Sequence, residues 1–180
     1  SYNVNIEGFE NNAQNVIVIQ SRDACGYFIE EFNTMWGSSG IVFNPAASFF
    51  GTEKMNNRIG LEFAGADAGG NYIELGFCPT NSFDNILNGI LNNLGSARKS
   101  IFFSIYIFTE YNILDKLVDK YNSGVKVAGV FDAWKAGEAT TSNAWSRLSS
   151  LDQNVFKKDN VSPAGALLHH KYFIIDAGYQ

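Results

Sequence analysis

The stretch from Ser100 to Phe131 most constrains what this chain can fold into. Ser100–Phe108 reads SIFFSIYIF, a nearly continuous apolar run that Ser104 alone interrupts. A strand buried on both faces of a sheet has that composition. Thr109 can then cap a helix whose Ile113, Leu114, Leu117, Val118 and Tyr121 form one apolar stripe. Asn122-Ser123-Gly124 ends that helix, and Val125–Phe131 is a second strand. Strand, helix and strand joined by short loops predict a right-handed crossover between parallel strands. The chain therefore reads as α/β.

The flanking segments extend this pattern. Tyr72–Cys78 has β character and stops at Pro79. Thr80, Asn81 or Ser82 can cap a following helix with Ile86, Leu87, Ile90, Leu91 and Leu94 on one face and Gly95 at its end. Val16–Ile19 is β-branched throughout and predicts a strand. Ser21 or Asp23 then caps a helix carrying Ala24, Phe28, Phe32, Met35 and Trp36, which Gly37 closes. Residues 38–71 have loop compositions and read as a connector with some short strand structure, in which nothing looks catalytic. Near the end, Ser142–Leu151 predicts a helix with Trp145 and Leu148 inward. Val155-Phe156 predicts an edge strand. Lys157-Lys158 reads as its solvated guard or as a greeting for an anionic substrate.

With 180 residues, 46% hydrophobic, the chain is long and apolar enough for one domain with a sizeable core. No apolar run approaches the eighteen or so residues a membrane-spanning helix needs. The net charge of −5 gives no general attraction to nucleic acid or anionic lipid. Cys25 and Cys78 could pair or remain two buried thiols. The start at Ser1, without a basic-then-apolar leader, reads as a processed chain or a piece of a longer one. The compartment stays open, with a secreted or periplasmic setting slightly favoured over a cytoplasmic one.

Both histidines lie in Leu167–Asp176, LLHHKYFIID. Tyr172–Ile175 predicts a buried strand, and alternation then puts His169 and Lys171 on one face and His170 on the other. An imidazole beside an ammonium suits a phosphate ester: the ammonium binds phosphoryl oxygens, and the imidazole attacks phosphorus or moves a proton. Asp132, at the carboxyl end of its strand, reads either as a lip of such a site or as an ordinary cap of the following loop. No metal-ligating cluster stands out.

The spacing His169-x-Lys171, four residues, Asp176 resembles the H-x-K-x-x-x-x-D motif of the phospholipase D superfamily. The approaches Ala97–Ile101 and Gly124–Val127 also look like that family's. The resemblance implies a mixed, largely parallel sheet sandwiched between helices. It implies a phosphodiesterase acting on nucleic acid or phospholipid through a phosphohistidine, with no metal or cofactor. His169 would be the nucleophile, Lys171 would neutralise the non-bridging oxygens, and Asp176 would orient or support. The family's site takes two copies of the motif, so a homodimer or a second repeat is implied.

The N-terminus resembles the segment that lies C-terminal to the motif in that family. Ser1-Tyr2-Asn3 looks like its S-x-N, which puts Ser1 and Asn3 on the phosphoryl oxygens. Asn12-Ala13-Gln14-Asn15 looks like N-D-E-N, and Glu31-Phe32 to Trp36 looks like its helix end. Residues 1–37 would then be the tail of a repeat, 38–71 a connector, and 72–180 the head of a repeat. That order implies a circularly permuted domain or a fragment of a two-repeat protein. Ala13 and Gln14 stand where the family has an acidic pair; Gln14, counted with the binding residues, can accept a hydrogen bond from the catalytic imidazole but carries no charge to stabilise an imidazolium. That departure favours a second expectation, a catalytically incomplete domain that binds phosphate or supports a partner.

Overall fold

Two parallel strands joined by a helix form the middle of the fold, as their apolar runs require. The computed structural model describes residues 12–51, 53–54, 63–67, 69–70, 72–78, 83–159 and 166–177. Its regular elements are α1 (Arg22–Trp36), β1 (Phe63–Asp67), β2 (Tyr72–Gly76), α2 (Phe83–Ser96), β3 (Ser100–Ile105), α3 (Tyr111–Asn122), β4 (Lys126–Phe131), α4 (Ala139–Leu151), β5 (Phe156–Lys158) and β6 (Lys171–Ile175). They fall into two compact units. One runs Ile17–Gly89; the other joins the described residues up to Val16 to those from Ile90 onward.

The second unit holds a four-stranded sheet in the order β5-β4-β3-β6. β3 and β5 both run parallel to β4, while β6 is antiparallel to β3. Ile101, Phe103 and Ile105 of β3, with Val127 and Phe131 of β4, point to one face and are almost wholly buried. Helices α3 and α4 cover that face. Tyr121 of α3 packs on Phe156 at 6.0 Å between ring centroids. Trp145 of α4 meets Phe131 edge-on at 5.5 Å. Leu114 and Leu117 of α3 and Leu148 of α4 are almost wholly buried. The opposite face is wetter, with Val130 and Ile174 at 36% and 45% exposure.

Phe103 is the hub of this core. Its ring lies within 6.3 Å of those of Phe108, Phe131, Phe156 and Phe173. It lies over Gly129, its register partner on β4. A Cβ at position 129 would come within 2.2–2.4 Å of three Phe103 ring carbons. Gly129→Ala therefore displaces the hub, and thermal or denaturant unfolding is expected to show a loss of about 1–3 kcal/mol.

Details of the caps differ from the sequence expectation. Glu110, not Thr109, caps α3: its carboxylate accepts from the Asn112 amide at 3.0 Å. Lys120 near the end of α3 donates to the Gly95 and Ala97 carbonyls at the end of α2, a favourable place for a cation. The edge strand β5 is longer than Val155-Phe156 and includes both lysines. Lys158 lies over the Trp145 ring at 4.7 Å, so one of the pair packs rather than merely guards.

In the unit Ile17–Gly89, the Ser21 hydroxyl accepts from the Ala24 amide at the start of α1. Gly37 closes the helix at φ 76 and donates to the Asn33 carbonyl. Glu31 on α1 is buried because Lys54 meets it at 2.7 Å. Strands β1 and β2 form a separate antiparallel pair. Val16–Ile19 is not a strand. Val16, Ile17 and Val18 are 63–91% exposed, and β-branched residues form strands only where a neighbour offers a ladder. Cys25 and Cys78 are free and exposed rather than buried. Among the described residues no helix is long and apolar enough to cross a membrane.

Candidate active site at one end of the sheet

The antiparallel setting of β6 decides where the motif residues stand. Lys171 pairs with Ile105, at the carboxyl end of β3. The ladder continues one step outward, where the Tyr106 amide donates to the His170 carbonyl at 2.9 Å. His169 and Lys171 therefore sit where β3 and β4 both end. Ile175 pairs with Ile101, so Asp176 lies at the other end of the sheet. Five residue steps along the strand carry the chain from Lys171 to Asp176, roughly 17 Å.

Tyr106 joins the two motif side chains. The His169 ring meets it edge-on at 5.0 Å, and the Lys171 ammonium lies 5.3 Å from its centroid. A second ammonium, Lys135, lies 5.7 Å from the same ring and is bridged to Glu138 at 2.7 Å. Burial, and then the Lys171 charge beside it, hold the His169 imidazole below its ordinary value. Burial also lowers the Lys171 ammonium. A half-buried imidazole that stays neutral near pH 7, next to a cation, can act as a nucleophile on an anionic phosphorus centre.

His170 faces the other way. Its Nδ1 meets the Asn15 Oδ1 at 3.0 Å, and its ring packs on Tyr172 at 5.3 Å. Asn15 belongs to a short N-terminal stretch laid beside the motif. There the Asn12 side chain accepts from the Leu167 amide, the Ala13 amide donates to the Leu167 carbonyl, and Ala13 pairs in parallel with Leu168. Gln14 lies in this stretch and is half-buried. Ser1 and Asn3 lie outside the described residues.

Asp176 works as a clasp. It takes φ 50, and its carboxylate accepts from the amides of Arg98, Lys99 and Ser100 at 2.7–3.0 Å. Its own amide donates back to the Ser100 carbonyl. The Lys99, Ser100 and Arg98 amides hold the carboxyl below the usual carboxylate range. A depressed folded value contributes stability above the unfolded pKa of about 3.9, lost as pH falls through the folded value. Wild type is thus expected to unfold at higher denaturant than Asp176→Asn at pH 7, with the gap closing on acidification below about pH 4. Equal midpoints at pH 7 would show that the clasp carries no stability.

Asp132 is 1% exposed at the end of β4. One carboxylate oxygen accepts from the Lys135 amide at 2.8 Å, and the other accepts from the Leu168 amide at 3.0 Å. It is both a loop cap and a link to the motif. Asp159 braces the same loop through the Ala133 amide at 2.6 Å, and its carboxyl is raised by burial. Tyr106 and Lys135 were not legible as site residues, since a tyrosine in an apolar run reads as core. Among the described residues, no three His, Cys, Asp or Glu side chains converge to hold a metal ion.

Residues 90–179 match the family described as cardiolipin synthase, PLD-like domain. Among solved structures, the chain is similar to Nuc from Salmonella typhimurium, described as a phospholipase D family member. The two are 26% identical with a TM-score of 0.43, over 51% of this chain and 57% of that one. The chain thus spans little more than half the length of that relative. No curated protein shows significant similarity to this chain.

Proposed function

The chain belongs to the phospholipase D superfamily, and from this premise we propose that it hydrolyses phosphodiesters with His169 as the nucleophile. The observation that carries the proposal is the meeting of His169 and Lys171 around Tyr106 at one end of the sheet. The imidazole nitrogen forms a bond to phosphorus as the bond to the leaving oxygen breaks. That oxygen takes the electron pair and a proton from a general acid. Water then attacks phosphorus, gives its proton to the resulting base, and releases His169. Lys171 stabilises the charge on the non-bridging oxygens throughout. Asn3 and Ser1 would bind the same oxygens, and Asp176 supports the strand from its far end.

Among the described residues, the second imidazole is not placed to act as the general acid. His170 points away from His169 and is held by Asn15. A second copy of the motif supplies it, from a partner chain or a further repeat. A two-fold pairing would bring two copies of one surface together. The placement of Asn12–Asn15 beside Leu167–His170 supports a permuted domain, in which the N-terminal stretch fills the place just beyond the motif.

The test is to mix the protein with a slowly cleaved aryl phosphodiester and quench in alkali. A phosphoryl group on His169, with a dimer by light scattering, is the expected result. Turnover without any phosphohistidine would overturn the covalent route. The loss of an acidic residue at Gln14 favours the second reading, a phosphate-binding domain without turnover. Saturable phosphate binding with no hydrolysis in the dimer would select it.

A further inference from the structure

We propose that Asp132 is the positioning residue of this site, its carboxylate fixing the strand entrance that carries His169 against the loop that carries Lys135. The inference rests on His169 being the nucleophile.

An ionised carboxylate is costly to bury unless donors meet its oxygens. Asp132 is almost wholly buried, and each oxygen is met by a backbone amide from a different part of the chain. One donor, Lys135, is three residues on and makes a local cap. The other, Leu168, is 36 residues on and immediately precedes His169. A cap alone needs only the first bond. The second ties the end of β4 to the residue that sets the His169 backbone, so the two sides of the site are fixed through one rigid group.

The charge has a use as well. Among the described residues, Lys171 at the start of β6, Tyr106 just past β3 and Asp132 just past β4 lie around His169, and His170 adjoins it in sequence while its ring turns away. Lys171 and His170 oppose a positive imidazole, and Asp132 favours it. The imidazole becomes cationic when its nitrogen bonds phosphorus. A fixed carboxylate nearby stabilises that cation, and it needs no motion because its bonds already hold it.

The experiment compares wild type, Asp132→Asn and His169→Ala as full chains. Readouts are aryl phosphodiester turnover and the NMR titration of the imidazoles. The chain has two histidines, so a His170→Asn background leaves one signal to follow. Asp132→Asn keeps the shape, removes the charge and offers an amide nitrogen to one of the two donors. The expected result is kcat lower by about ten- to a hundredfold with KM little changed, and a His169 midpoint moved further down. A merely structural aspartate would lower the melting temperature and leave that midpoint in place. An unmoved midpoint with unchanged kcat in the folded variant overturns the inference. Should Asp132→Asn fail to fold, hydrogen exchange on wild type decides. The Leu168 and Lys135 amides are expected in one slow group, and open-chain exchange at either rejects the brace. If His169→Ala keeps full turnover, the nucleophile reading itself has failed. If it loses turnover and Asp132→Asn does not, only the present inference has.

Discussion

His169→Asn is expected to lower phosphodiester hydrolysis by about 10⁴-fold or more, because on the proposed route the substitution removes the atom that would bond phosphorus. Asparagine keeps polarity and much of the size, so the fold should survive and unfolding midpoints should stay close to wild type. The matching control is His170→Asn. That imidazole faces Asn15 and Tyr172, away from Lys171, and its loss should leave turnover within about an order of magnitude. Equal losses in both variants would mean that the imidazoles act through the fold rather than through chemistry. The pH profile adds a second check. The His169 value is lowered, and on the proposed route the neutral form is the one that attacks. The acid limb of kcat/KM should therefore fall below about 6.5, the ordinary imidazole value.

Lys171→Met is expected to cost about 10²–10³-fold in kcat, the scale seen when one fixed charge or donor is removed from a transition state. Methionine keeps an unbranched side chain of similar length and deletes the charge that lies over Tyr106. Lys171→Arg should rescue only part of the loss, since a planar fork cannot take the place of a point charge in the same gap. Burial lowers the Lys171 ammonium, so its working form is lost earlier on the alkaline side than for an ordinary lysine near 10.4. The alkaline limb should disappear in Lys171→Met while the acid limb of His169 remains. An unchanged alkaline limb would assign that ionisation to another group.

Parts of this structure are legible in the sequence for definite reasons. Ile101–Ile105 is buried along nearly its whole length and Val127–Phe131 along one face, and the α3 stripe must cover that face, so local composition alone specifies that crossover. The pairing of His169 with Lys171 follows from strand alternation. Other features need the rest of the chain. Val16–Ile19 has strand chemistry but no ladder, and composition cannot supply a partner. Glu110 displaces Thr109 as the cap because the helix starts one residue later than the hydroxyl suggests. Asp132 reads equally as lip or cap, since the amide that settles the matter belongs to Leu168, 36 residues away. Tyr106 has no local mark at all: its role comes from two side chains on another strand.

The clasp at Asp176 turns the motif's spacing into a ruler. Its carboxylate fixes one end of β6 to the beginning of β3, while Lys171 stands at the end of β3. The four residues between Lys171 and Asp176 are the height of the sheet in residues. One residue more or fewer would slide the imidazole and ammonium by about 3.3 Å and turn them to the opposite face. Asp176 thus stands as the datum from which the positions of Lys171 and His169 are measured.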